Sequence, residues 1–213
     1  MKPYSIPLNE IRREHIVVNS KFIATLTPVF STEEARAFIA RMKKEFGDAS
    51  HNVPAYIIGG GNTVTGYCSD DGEPSGTAGK PALAVLRGSG LGDVAVVITR
   101  YFGGTLLGTG GLVKAYTEST QLVVHAVGRG ERVRVYVAMV AIPYNLLERV
   151  RLMVKRNHGE VLSEDFAADV TLTLQFPVVS FDGFQNEMRE LSAGKLSAEI
   201  IESAEKIVAV TSA

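Results

Sequence analysis

Apolar and polar positions along the chain follow two different periods, and the alternation between them predicts the elements. Ile11 to Val18 and Lys21 to Val29 are apolar-rich runs flanking Asn19-Ser20, which predicts a β-hairpin. Ser31-Thr32-Glu33-Glu34 is a capping box, with Ser31 as cap and Glu34 three residues on. Ala35, Phe38, Ile39, Met42 and Phe46 follow at helical spacing, and Gly47 is placed to end that helix. Ala55 to Ile58 and Thr63 to Cys68 read as strands around Gly59-Gly60-Gly61, and Thr77 to Arg87 as a short helix. Val94 to Thr99 is a continuous apolar run of the kind a strand buried on both faces shows. A helix from about Gly110 to Ala126 closes this part.

After Gly128-Arg129-Gly130-Glu131 the pattern changes. Val133, Val135, Val137 and Met139 alternate with Arg132, Arg134 and Tyr136, which predicts a half-buried strand. Leu146, Leu147, Val150, Met153 and Val154 form a helical stripe that Gly159 is placed to cap. Val161 to Asp165 and Val170 to Phe176 predict a hairpin, and Phe184, Met188 and Leu191 mark a helix stopped by Gly194. Ile207 to Val210 supplies the last strand. The order βαββαβ is that of a ferredoxin-like domain. The expected organisation is two α/β (α+β) domains, residues 1–130 and 131–213, with no repeat and no low-complexity segment.

Composition narrows the class. A 213-residue chain with 46% hydrophobic and 21% charged residues has the apolar content to fold and to build a core without a disulfide or metal staple. Cys68 is the only cysteine, which excludes an intramolecular disulfide and a cysteine-based zinc site and fits a cytoplasmic location. Met1 to Pro7 holds no apolar run of signal-peptide type, and Val135 to Ile142 is too short to span a membrane. A net charge of −1 gives no global argument for nucleic-acid binding, so only a local patch can carry one. Fifteen of the 21 glycines lie between Gly59 and Gly111. Glycine costs entropy to order, so this third of the chain is built for unusual turns or close backbone approach, and function belongs there.

Two loops in that third carry chemistry. In Ser69-Asp70-Asp71-Gly72-Glu73-Pro74-Ser75-Gly76-Thr77-Ala78-Gly79-Lys80, three carboxylates suit either a hard divalent cation or a split acid/base pair. The same residues also read as turn formers, with Ser75 or Thr77 as a helix N-cap. No EF-hand ladder is present.

The second loop, Arg100-Tyr101-Phe102-Gly103-Gly104 through Gly110-Gly111-Leu112-Val113-Lys114, leaves a buried strand and enters a helix. Free N–H groups and the helix dipole favour an anion there, with Arg100 and Lys114 adding charge and Tyr101 and Phe102 offering rings for a base. Equally, the glycines serve helix–sheet packing and the aromatics the core. Neither the P-loop nor the dinucleotide fingerprint is completed.

Histidine and cysteine give weaker signals. No His pair has zinc spacing, and no Gly-x-Ser-x-Gly elbow exists. His51 precedes the strand leading to the first loop and reads as a structural residue or a catalytic partner. His125 is expected to pack on an apolar helix face, and Cys68 to be a small core residue. Arg149, Arg151, Lys155 and Arg156 form a basic helix face of the solvated kind.

Taken together, Ser69 to Gly79, Thr99 to Gly104 and Leu107-Gly108-Thr109-Gly110-Gly111-Leu112-Val113 resemble the YigZ/Impact family. The resemblance implies a first domain like ribosomal small-subunit protein S-five and domain IV of elongation factor G, and a second like domain V of that factor. Eukaryotic relatives act in translational control by restraining a kinase of an initiation factor. They do so with an additional RWD domain that this sequence does not show, so that interaction is not transferred. The motif positions are Asp70, Asp71, Glu73, Ser75, Thr77, Arg100, Tyr101, Phe102, Gly103 and Gly104, with Lys114 in place of an expected Arg. His51-Asn52-Val53-Pro54-Ala55-Tyr56 keeps the family's His but has Val53 and Pro54 where a Cys and an aromatic are expected.

The leading expectation is a non-catalytic, cytoplasmic RNA- or ribosome-binding protein regulating translation. Lys80, Arg100 and Lys114 would contact phosphate and Tyr101 and Phe102 would stack bases. The acidic cluster would orient those cations or hold a magnesium ion, which is allowed but not required. The rival is an enzyme acting on a phosphorylated small molecule, with Glu73 or Asp71 as base and His51 as partner. A pocket where His51, Glu73 and Arg100 converge would mark it, whereas an open basic surface would mark RNA binding. A protein-interaction module using the same side chains is the third reading. No oligomeric state is expected from these features.

Overall fold

A computed structural model describes residues 4–60 and 63–209. Met1 to Pro3, Gly61 in the expected glycine turn, and Val210 in the expected last strand lie outside the described residues. The chain divides into two compact units, one reaching to Glu131 and one from Arg132 to Ile207.

The first unit holds strands β1 (Ile6–Pro7), β2 (Ile11–Val17), β3 (Ser20–Pro28), β4 (His51–Gly60), β5 (Thr63–Cys68) and β6 (Val94–Tyr101). Its helices are α1 (Thr32–Glu45), α2 (Gly79–Gly88) and α3 (Gly108–Ala126). The sheet runs β2-β3-β6-β4-β5 with every pairing antiparallel. Helices α2 and α3 cover one face over Phe22, Leu26, Val53, Ile57, Val96 and Ile98. Helix α1 covers the other, setting Phe38 and Met42 on Tyr56, Ala95 and Val97. Central strand β6 is buried on both faces, as its unbroken apolar run predicts.

Strand β4 begins four residues before the expected start and takes Pro54 into the sheet interior. The ladder tolerates it because Pro54 accepts from Ser69 N through its carbonyl on the side where β5 has already ended. A missing N–H on that side breaks no rung. Half of the expected capping box forms, since Ser31 Oγ accepts from Glu34 N at 3.1 Å, while the Glu34 carboxylate accepts from Phe30 N, one residue before the cap, at 2.9 Å.

The second unit contains β7 (Arg129–Ile142, its start shared with the first unit), α4 (Leu147–Arg156), β8 (Glu160–Phe166), β9 (Val170–Pro177), α5 (Val178–Leu191) and β10 (Glu199–Ala209). Strand β10 pairs β7, β7 pairs β9 and β9 pairs β8, the split arrangement of a ferredoxin-like sheet. Ala138, Val140, Ile142, Leu172, Leu174 and Phe176 pack against Val150, Val154, Phe184 and Met188 of α4 and α5.

Three expectations change here. The inward face of β7 is carried by Ala138, Val140 and Ile142, so Met139 is exposed. The left-handed residue after α4 is His158 (φ 56°), not Gly159. Gly159 is required for another reason: a Cβ there would stand 2.3 Å from the Phe176 ring. Strand β10 starts eight residues earlier than its apolar end suggests, because most of it is exposed and carries no inward stripe.

Candidate binding site

Ladder register alone puts three side chains in a row. Arg100 lies opposite Phe22 of β3 and opposite His51 of β4, so all three stand on the face covered by α2 and α3. Its neighbour Tyr101 points to the other face, where its hydroxyl donates to Asp48 at 2.7 Å.

The first loop brings Glu73 to this row. Arg100 Nη1 donates to Glu73 Oε1 at 2.7 Å, and the Tyr116 hydroxyl of α3 donates to the same oxygen at 2.8 Å. Arg100 Nη2 donates to Ser20 Oγ at 3.3 Å. The Glu73 and Arg100 side chains are only 3% and 6% exposed, so each offsets the hydration the other loses on burial. Burial, reinforced by the Glu73 carboxylate, raises the Tyr116 phenol far above its ordinary range and keeps it a donor. The Arg100 guanidinium carbon stands 5.5 Å from the Phe22 ring centre and 5.6 Å from that of Phe102, within cation–π range. Arg100 Nε is buried and has no hydrogen-bond partner among the described residues.

His51 Nδ1 lies 2.9 Å from the Asp71 carbonyl oxygen. A carbonyl only accepts, so Nδ1 carries a proton, and in the tautomer protonated there alone Nε2 is an acceptor. Nε2 faces Glu73 Oε2 at 3.8 Å, too far for a direct hydrogen bond.

His51, Glu73 and Arg100 line a cavity of about 430 Å³. Phe102, Leu106, Leu107 and Leu112 supply its apolar wall, and Gly108 and Thr109 bring the amino end of α3 to it. Gly108 takes a left-handed φ of 69°, and no side chain caps this end. Its first N–H groups are therefore available to an anion. Gly103 is needed because a Cβ would stand 2.0 Å from the Asn19 backbone, where the loop presses on the β2–β3 turn.

The three carboxylates of the first loop diverge. Asp70 accepts from the backbone N–H of Gly76, Ala78 and Gly79, at 2.8, 3.1 and 2.9 Å, and so caps α2 from a distance. Burial opposes its ionisation, but these bonds outweigh it and hold the carboxyl below its usual range. Asp71 (φ 46°) accepts from Asn52 N and Lys43 Nζ. Glu73 serves Arg100 and Tyr116. Among the described residues no cluster of three or more His, Cys, Asp or Glu is arranged to hold a metal.

Other sequence-predicted residues fall elsewhere. Thr77 Oγ1 donates to the Pro74 carbonyl and does not cap α2, which starts at Gly79, and Ser75 is exposed without a capping bond. The distant Asp70 does that work. Lys80 and Lys114 do not line the cavity, and Lys114 is 76% exposed beside Glu118. The open patch formed by Lys80, Arg100 and Lys114 together is thus not assembled, because Arg100 is buried. Gly104 (φ 82°) shapes the loop without lining the cavity. His125 is exposed rather than packed, since the inward face of α3 runs through Tyr116, Thr120 and Val123. Tyr116, Ser20 and the leucine wall were not singled out from sequence. Tyr116 had a legible signal: a polar-tipped ring on a buried stripe needs a partner for its hydroxyl.

Against known proteins, the Impact N-terminal domain matches residues 18–124, and a domain of unknown function matches residues 140–195. An IMPACT family member from Haemophilus influenzae is 36% identical over 207 residues, spanning 96% of this chain and 100% of the relative. The chain belongs to the Impact family. Family members YigZ of Escherichia coli and YvyE of Bacillus subtilis are 33% and 34% identical, covering 95% and 85% of the chain. A crystal structure of a hypothetical protein, 32% identical, superposes with a TM-score of 0.62 over 95% of this chain and 98% of its own. The Impact N-terminal match contains every residue of the cavity. Among the described residues, no helix is long and apolar enough to cross a membrane.

Proposed function

We propose that this Impact family chain is a non-catalytic, cytoplasmic regulatory protein linked to translation that recognises a nucleotide. The nucleotide is either free or an unstacked unit of RNA, including ribosomal RNA. The observation that carries this reading is the cavity itself. A half-exposed Phe102 ring stands beside the Arg100 guanidinium, and the open amino end of α3 lies in the same recess. Phe102 takes the base by stacking and the N–H groups of α3 take the phosphate. One nucleotide at a time is bound, because the buried Arg100–Glu73 pair offers no flat basic face to a duplex. The link to translation comes from the family's eukaryotic members. Protein IMPACT of Bos taurus is 30% identical over 147 residues, covering 62% of this chain and 43% of that protein. The reading requires no metal or cofactor.

Titration of wild type and Phe102→Ala with nucleoside monophosphates, a single-stranded oligoribonucleotide and ribosomes, at two salt concentrations, tests it. Wild type should bind, and Phe102→Ala should bind about tenfold or more weakly, as expected for loss of ~1–3 kcal/mol of stacking. Binding of monophosphates alone identifies a free nucleotide, and binding of the RNA arms alone identifies an RNA unit. No binding in any arm at low salt removes the reading.

A second reading has its own observation. His51, Glu73 and Arg100 converge on the cavity, the arrangement expected of an enzyme acting on a phosphorylated small molecule. Its sign would be turnover of a bound nucleotide that stops in His51→Gln while binding persists.

A further inference from the structure

Two acceptors face each other across a gap in the cavity wall. Glu73 Oε1 is occupied by Arg100 and Tyr116, but Oε2 has no hydrogen bond among the described residues. His51 Nε2 stands across the gap at 3.8 Å. The Asp71 carbonyl takes the Nδ1 proton, and the tautomer that carries its one proton there presents a lone pair at Nε2. In that tautomer Nε2 and Oε2 are two acceptors at this separation, and neither can donate to the other. Both are answered by one atom that carries two hydrogens. A nitrogen at about 2.9 Å from each fits between them, since the two bonds together exceed the separation of the acceptors. A hydroxyl brings one hydrogen and leaves one acceptor unmet, while a carbonyl meets neither.

We infer that the ligand presents an amino group to the gap between Glu73 Oε2 and His51 Nε2, so that the cavity selects rings bearing an exocyclic amine over those bearing a carbonyl there. This inference rests on the nucleotide reading above. Adenine, cytosine and guanine carry such a group, whereas uracil and hypoxanthine do not. Glu73 is then the specificity-determining residue, held in place by Arg100 and Tyr116, and His51 is its partner, oriented by the Asp71 backbone.

The comparison that tests this is adenosine against inosine monophosphate, and cytidine against uridine monophosphate, measured by calorimetry on the full chain. The pairs differ in the amine-for-carbonyl exchange, with its ring proton, and leave phosphate and stacking in place. Wild type should favour the amino member about tenfold or more, the value of a hydrogen bond to a charged group. Glu73→Gln keeps an oxygen for Arg100 and Tyr116 and turns an amide N–H₂ toward the gap. Its preference should invert toward inosine and uridine monophosphates. Should Glu73→Gln fold poorly by thermal melting, His51→Gln, altering a residue at the cavity rim, replaces it and should reduce the preference. Equal affinity of the paired monophosphates for wild type would overturn the inference and leave the nucleotide reading standing. Binding of none of the four would overturn the reading and this inference with it.

Discussion

The two units bury different kinds of side chain. Every buried polar or charged residue among those described lies in the first unit, including Ser20, Asn52, Glu73, Asp93, Arg100, Ser119 and Thr120. The second unit closes over Leu172, Leu174, Phe176, Phe184 and Met188, and its charges, such as Arg151 with Glu164, stay at the surface. An apolar core stabilises by area removed from water and tolerates variation of shape. A buried polar network gains little net stability, and each member left unpaired is costly. The first unit carries that cost, and two of these residues, Glu73 and Arg100, line the cavity. This contrast supports the proposal that the binding site lies in the first unit.

The sharpest way to break the comparison is Arg100→Ala. It leaves Glu73 buried without its cation and should cost about 3–5 kcal/mol, read by chemical denaturation. Replacing both partners, Arg100→Met with Glu73→Leu, should recover much of that stability, as apolar replacements of buried pairs do, while ligand binding stays lost. Recovery of binding along with stability would mean that the pair serves only the fold.

In the second unit, Leu172→Ala should cost about 2–5 kcal/mol, according to how far the site collapses. It should leave the affinity of the cavity for nucleotides unchanged. A parallel loss of affinity would show that the cavity depends on the second unit and that function does not lie in the first alone.

Much of this was legible beforehand, and the failures have physical causes. The apolar run of β3, the period-two stripe of β9, the capping motif at Ser31 and the buried run of β6 are local patterns, and they predicted the elements. So did the βαββαβ order. Where a distant partner decides, local reading failed. Asp70 caps α2 from nine residues upstream of Gly79, which no N-cap spacing anticipates. Glycine enrichment and the two motifs pointed to the right loops, yet both the inward turn of Arg100 and the outward placement of Lys114 depend on strand register and helix phase. The meeting of His51 with Glu73 required the fold.

Asp70→Asn sits below these in effect. It weakens a charge-assisted cap on three N–H groups, and a cap of this kind contributes about 1 kcal/mol. Because the folded-state carboxyl is held below its unfolded value near ~3.9, its stabilisation is present above that pH and is lost as pH falls through the folded value. Wild type and Asp70→Asn should therefore differ in thermal midpoint at pH 7 and converge in strong acid. A difference that persists at low pH would assign the effect to shape rather than charge.

The smallest expected effect is the most direct check on where the working charge lies. Lys114 stands in the motif region and was the natural candidate for a phosphate contact, but it is solvent-exposed and paired only with Glu118 one turn on. Such a pair contributes about 0.2–0.5 kcal/mol and is screened by salt. Lys114→Ala should shift stability by no more than that and leave nucleotide affinity within error of wild type. The salt slope for RNA should also stay unchanged, since a lysine that touches no phosphate releases no counterion. A slope reduced by about one unit would place Lys114 on phosphate after all. The binding surface would then extend from the cavity along the exposed face of α3.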